Sequence, residues 1–227
     1  MRQEDISVIF DMDGTIFDTE RLVLDCWERI GEKHGMSGIR EVFMRCIGTN
    51  KVRTQEIVYA HYGKDFPYEK FSEESSVLFH EIADQSGIPV KKGAVELLDY
   101  LSENRIPLGL ASSTRLSTVT QELKEAGLYE YFQVVVGGDL LKNSKPAPDI
   151  YLMTCERMGV LPEYTYAIED SYNGIRSAHG AGLRPIMVPD LTPATEEMRG
   201  LSVAVFEDLL QVKEYFGSEK EKERMRK

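Results

Sequence analysis

Cysteine is scarce in this chain of 227 residues: Cys26, Cys46 and Cys155 lie far apart, with no Cys-x-x-Cys pair among them. That excludes a disulfide framework and a thiolate zinc site, and a reducing, cytoplasmic location is expected. Long apolar runs are lacking too. The first run starts at Ile6 and ends at Asp11, too short and too acidic for a signal peptide, and no later one approaches a membrane span. Positive charge is short, with 27 Lys and Arg against 38 Asp and Glu for a net charge of −11. Five of those basic residues sit with three Glu in the tail 218–227, which reads as a solvated helix end and leaves −13 for the rest. Nucleic acid and anionic membrane both select clustered Lys and Arg, so neither is expected as a partner. An acidic enzyme acting on an anion must concentrate positive charge locally, and a metal ion is one means of doing so. The four histidines, His34, His61, His80 and His179, share no metal-ligand spacing.

Hydrophobic residues make up 42% and charged residues 29%, as in an ordinary globular protein. At roughly 150 residues per domain the length suggests one large or two unequal domains. A short run rich in β-branched residues, Ile6, Val8, Ile9 and Phe10, stops at the turn Asp11-Met12-Asp13-Gly14-Thr15 and reads as a buried strand. Similar runs recur at 107–112, 134–136, 164–168, 184–188 and 202–206. Between them Leu97, Leu98 and Leu101, then Val119, Leu123 and Ala126 before Gly127, then Ile175 and Ala178, repeat at helical spacing. Strands alternating with helices predict an α/β fold, a Rossmann-like parallel sheet.

The segment 19–87 breaks this rhythm. It has no convincing strand, while Leu22, Cys26, Trp27 and Ile30, and later Ile57, Val58 and Tyr62, mark amphipathic helices. A helical domain over 19–87 is therefore expected as an insertion into a core formed by 1–18 and 88–227. Within it, Gly48, Thr49, Asn50, Lys51 and Arg53 form a polar, cationic stretch that reads as a solvated helix start.

Four stretches carry chemistry. Asp11 and Asp13 lie two apart where a strand gives way to a loop, at the edge of the sheet where ligands bind in open α/β folds. A plain turn also uses Asp and Gly. Ser112-Ser113-Thr114 follows the second strand, Lys145-Pro146 precedes a helix, and Glu169-Asp170-Ser171 follows a further strand. Together they offer a carboxylate nucleophile, a second carboxyl group, hydroxyl and backbone donors, a lysine and an acid pair. That set suits phosphoryl transfer with Mg²⁺, which takes hard oxygen ligands.

In this order the stretches 11–20, 111–113, 145–151 and 168–175 resemble the four motifs of the haloacid dehalogenase superfamily, and within it the β-phosphoglucomutase-like phosphatases with a helical cap. The resemblance implies that Asp11 attacks phosphorus to give an aspartyl phosphate and that Asp13 is the general acid and base. It further implies that Ser112, the Ser113 N–H and Lys145 hold the phosphoryl oxygens. Asp11, Asp170 and the Asp13 carbonyl would bind Mg²⁺, with Glu169 a further ligand or a support for one. Thr15 and Asp18 read as structural residues of the turn and hinge. The expected activity is Mg²⁺-dependent hydrolysis of a small phosphorylated metabolite, a sugar phosphate, by a monomer. The alternatives are a β-phosphoglucomutase-type sugar phosphate mutase and a non-catalytic phosphate- or Mg²⁺-binding module. In the mutase branch a histidine follows shortly after the general acid; here that stretch reads Glu20-Arg21-Leu22-Val23, with no histidine before His34.

Overall fold

The computed structural model describes residues 6–47 and 51–218, and the side chains of 51 and 52 are left out of the description. The expected tail therefore lies outside it from residue 219 on, as do Gly48, Thr49 and Asn50. The described residues form two compact units, Asp18–Pro89 in one and those up to Phe17 and from Val90 on in the other. The divisions expected from the sequence are 18/19 and 87/88, against 17/18 and 89/90 for these units.

The larger unit is built on six strands: β1 (Ser7–Phe10), β2 (Leu108–Ser112), β3 (Val134–Gly137), β4 (Thr165–Glu169), β5 (Arg184–Met187) and β6 (Ala204–Val205). They lie in the order β3-β2-β1-β4-β5-β6 and every pairing is parallel. This is a Rossmann-like α/β sheet. Every residue of β1, β2 and β4 is buried, because helices cover both faces, and that is why these strands read as continuous apolar runs. The last strand is the exception. A long run was expected over 202–206, yet only Ala204 and Val205 join the sheet, half-buried at its edge.

Side chains alternate between the two faces. Ile9, paired with Ala167, shares a buried cluster with Ala111, Tyr151, Cys155 and Ala178, which brings α7 (Asp149–Met158) and α8 (Tyr172–Gly180) onto one face. Gly109 lets α7 approach closely, since a Cβ there would lie 2.5 Å from the Met158 sulfur. On the other face Tyr166 meets the Phe216 ring edge-on at 5.1 Å, and Phe216 belongs to the C-terminal helix Leu209–Gly217. The chain returns to the middle of the sheet between β3 and β4, so the order of connection reverses at β1 and β4, whose carboxyl ends flank the crevice that this topology opens.

The smaller unit holds α1 (Thr19–Lys33), α2 (Ile39–Cys46), α3 (Lys51–Tyr62) and α4 (Tyr68–Ser86). Trp27 organises it, with its ring centroid 5.2 Å from that of Phe43 and 5.1 Å from that of Phe71. The chain passes between the units twice. On the sheet side Phe17 bridges Val90, and on the helical side the Asp18 N–H donates to the Pro89 carbonyl at 2.8 Å.

Candidate active site

The alternation that sorts the strands also aims the site. Phe10 pairs with Ile168 and the Asp11 N–H donates to the Ile168 carbonyl at 3.0 Å, so the ladder continues one residue past β1. Asp11 therefore emerges on the face of Ile9, and Glu169 on the face of Ala167, both toward α7. Lys145 lies between them. Its Nζ donates to Asp11 Oδ1 at 2.5 Å, to Glu169 Oε1 at 2.6 Å and to the Ala111 carbonyl at 3.1 Å, with its side chain only 6% exposed.

Glu169 is fully buried and its four acceptor positions are all taken. Oε1 accepts from Lys145 and from the Tyr151 hydroxyl at 2.8 Å, and Oε2 accepts from the Ser171 N–H at 3.2 Å and the Ser171 hydroxyl at 3.0 Å. Ser171 also caps α8 by accepting from the Gly174 N–H. Asp170 is buried, with the Thr15 hydroxyl 3.5 Å from its Oδ1. Gly14 is required beside it: φ is +82°, and a Cβ would fall 2.3 Å from Asp170 Oδ2.

Asp13 is held differently. Its Oδ2 accepts from the Thr114 hydroxyl at 2.8 Å and from the Ser112 hydroxyl at 3.4 Å, both from the loop that follows β2. Ser112 Oγ in turn accepts from the Thr114 N–H at 3.0 Å, so the hydroxyl expected to hold a phosphoryl oxygen faces Asp13 and its own loop here. Ser113 is exposed in the same bend, and its carbonyl rests against Gly138, where a Cβ would lie 2.3 Å away. Thr114 and Ser171 close two of the expected chemistry-bearing stretches and Tyr151 ends the motif 145–151, but the sequence assigned none of the three a role of its own.

Burial pushes the Asp11 carboxyl well above the ordinary carboxylate range; Glu169 and Asp13 add to this and Lys145 opposes it. Burial alone would also discharge Lys145, yet Asp11 and Glu169 outweigh it and hold the ammonium well above its usual value. Half-buried Glu122 is pushed up to about 7 by burial and then by Asp13.

Oxygen atoms of Asp11, Glu169 and Asp170, one from each, lie within 4.8 Å of one another. Three buried carboxylates against one lysine leave an excess of negative charge, which is costly in a low-dielectric setting. Hard oxygen donors with that excess fit a divalent cation such as Mg²⁺. Hydrogen bonds occupy both oxygens of Glu169 and tie it to Lys145, whereas the Asp170 carboxylate meets the Thr15 hydroxyl only at 3.5 Å. The Asp13 carboxylate is turned to Thr114 and stands outside this group of three.

Residues 8–188 match the family model of the haloacid dehalogenase-like hydrolases. The phosphorylated carbohydrates phosphatase of Thermotoga maritima is 34% identical over 184 residues, 79% of this chain and 83% of that protein. The fructose-1-phosphate phosphatase YqaB of Escherichia coli is 28% identical over 183 residues, 80% of this chain and 95% of that one. Among solved structures, CbbY from Rhodobacter sphaeroides in complex with phosphate aligns at a TM-score of 0.71 and 26% identity, over 92% of this chain and 96% of that one. With its sheet order, its carboxylate pair and a family match that spans most of its length, the chain belongs to the haloacid dehalogenase-like hydrolases.

Proposed function

We propose that this hydrolase is a Mg²⁺-dependent phosphatase that cleaves a small sugar phosphate through an aspartyl phosphate on Asp11. Its standing as a phosphoric monoester hydrolase follows from family membership together with relatives named as phosphatases. The carbohydrate class rests on those names, phosphorylated carbohydrates and fructose 1-phosphate. One observation carries the mechanism: two carboxylates two residues apart are held in unlike environments, Asp11 against Lys145 and Asp13 against hydroxyls. Such a difference suits two different roles.

In this reading Asp11 attacks phosphorus, the P–O bond to the sugar breaks, and Asp13 gives its proton to the departing alkoxide. Asp13 then takes a proton from the water that hydrolyses the acyl phosphate, and Asp11 is released with inorganic phosphate. Lys145, together with the Ser112 hydroxyl and the Ser113 N–H once phosphate displaces their present partners, balances charge on the phosphoryl oxygens. When bound, Mg²⁺ supplies electrostatic stabilisation of that same charge, held by Asp11, Asp170 and the Asp13 carbonyl. Helix α1 runs from Thr19 to Lys33 without a histidine, and His34, which follows it, pairs with Glu74 at 2.8 Å. That favours water over a second sugar hydroxyl as the acceptor. The unit Asp18–Pro89 is assigned the part of a cap, an assignment supported by its insertion through the two crossings beside the catalytic turn.

The test is phosphate release from a panel of sugar phosphates and aryl phosphates, with Mg²⁺ and with EDTA. Selective turnover of sugar monophosphates, lost on chelation, is expected. Turnover that survives EDTA, or transfer of phosphate to sugar in preference to water, would refute the assignment.

A further inference from the structure

Among the described residues the Asp13 carboxylate is held by side-chain hydroxyls, and the loop after β2 supplies them. Thr114 donates its hydroxyl to Asp13 Oδ2 at 2.8 Å, an ordinary strong geometry, while Ser112 reaches the same oxygen only at 3.4 Å. Thr114 is itself held. Its carbonyl accepts from the Gly138 N–H at 2.9 Å, and the Leu116 N–H beyond it donates to Asp139 Oδ1 at 2.8 Å. A Cβ at Gly137 would lie 2.3 Å from the Leu116 nitrogen, and one at Gly138 would lie 2.3 Å from the Ser113 carbonyl oxygen. The turn Gly137-Gly138-Asp139 after β3 therefore clamps the loop 113–116 from behind, and bare glycines are what let it come so close. The β-branched threonine adds its own restriction, since its χ1 has few allowed values.

We infer that Thr114 is the positioning residue of the general acid: its hydroxyl holds Asp13 Oδ2 and leaves Oδ1 as the oxygen that passes a proton to the leaving group and recovers one from water. The inference deepens the phosphatase reading and rests on it. Proton transfer needs heavy atoms within hydrogen-bond reach, and a misplacement of about 1 Å is enough to cost on the order of 10²-fold in rate. Thr114 touches neither nucleophile nor lysine, so its loss should fall on the step that needs a proton. That step matters for an alkyl leaving group and little for an activated aryl one.

The experiment compares wild type, Thr114→Val, Thr114→Ser and Asp13→Asn in single-turnover release of leaving group from an alkyl and an aryl phosphate with Mg²⁺, alongside crystal structures of wild type and Thr114→Val. Thr114→Val is expected to lose about 10- to 100-fold on the alkyl phosphate and less than about 3-fold on the aryl one, at unchanged KM, with Ser restoring most of the loss. The Asp13 side chain should leave its wild-type rotamer in Thr114→Val. An unchanged Asp13 rotamer, or equal losses on both substrates, or no rescue by Ser, overturns the inference. If Asp13→Asn itself shows no preference for losing the alkyl substrate, the phosphatase mechanism has failed, and the Asp13 rotamer in Thr114→Val still decides whether Thr114 positions that carboxylate.

Discussion

Replacing Gly174 by alanine reverses the sign that helix chemistry alone gives. Gly174 lies inside α8 with no unusual φ, so alanine should stabilise the helix by about 1 kcal/mol. At this position a Cβ would stand 1.9 Å from Glu169 Cδ and Oε1 and 2.0 Å from Oε2. An ordinary contact begins near 3.5 Å, so the carboxylate must retreat by about 1.5 Å. It is fully buried and pinned by Lys145, Tyr151 and two donors of Ser171. Each hydrogen bond to a charged group contributes about 1.5–3 kcal/mol, so losing two of the four and crediting the helix gain leaves a net destabilisation of about 2–5 kcal/mol. Because Lys145 moves with Glu169, kcat should fall by about 10²-fold or more. Urea unfolding and phosphate release measure the two effects, with Gly200→Ala as control, since nothing lies within 4 Å of a Cβ there. A Gly174→Ala protein as stable and as active as wild type would refute the claim that Glu169 is fixed by its surroundings.

Lys145→Met leaves Asp11 and Glu169 facing each other without a cation, and breaking a buried pair from one side should destabilise the metal-free protein by about 3–5 kcal/mol in a denaturant titration. Glu122, raised from 4.5 to about 7, binds its proton more tightly folded than unfolded, so its contribution falls as pH rises from 4.5 to about 7. Glu122→Gln should therefore raise Tm over wild type above pH 7 and make no difference below pH 4.5, as read by thermal unfolding across that range. Cys26, Cys46 and Cys155 are buried, and burial pushes the Cys155 thiol up to about 11. A colorimetric thiol reagent at pH 8 should find all three unreactive until denaturant is added.

The core strands were legible because a parallel sheet covered on both faces writes itself as apolar runs, and Ser7–Phe10, Leu108–Ser112 and Thr165–Glu169 fall within a residue or two of the expected runs. The edge strand was legible in place but not in length: of the run 202–206 only Ala204 and Val205 pair, and they are half-buried, so apolar neighbours there need not join the ladder. Asp11, Asp13, Lys145, Glu169 and Asp170 could be named from charge and order along the chain. Tyr151 and Thr114 lay in the expected stretches without a role, since a tyrosine in the first turn of a helix and a threonine in a loop are ordinary residues until the fold places them on Glu169 and Asp13. The roles of Gly137, Gly138 and Gly174 were hidden for a related reason: what they accommodate lies on other segments of the chain.

The most direct measurement of the central claim is to trap the covalent intermediate. Protein mixed with a sugar phosphate and Mg²⁺ is quenched in acid within the first turnover, digested, and read by mass spectrometry for a phosphoryl group on the peptide that contains Asp11 and Asp13. The account predicts one phosphoryl group on Asp11, more of it in Asp13→Asn on an aryl phosphate because hydrolysis lacks its base, and none in Asp11→Asn. A phosphoryl group on another residue, or full turnover by Asp11→Asn, would contradict it.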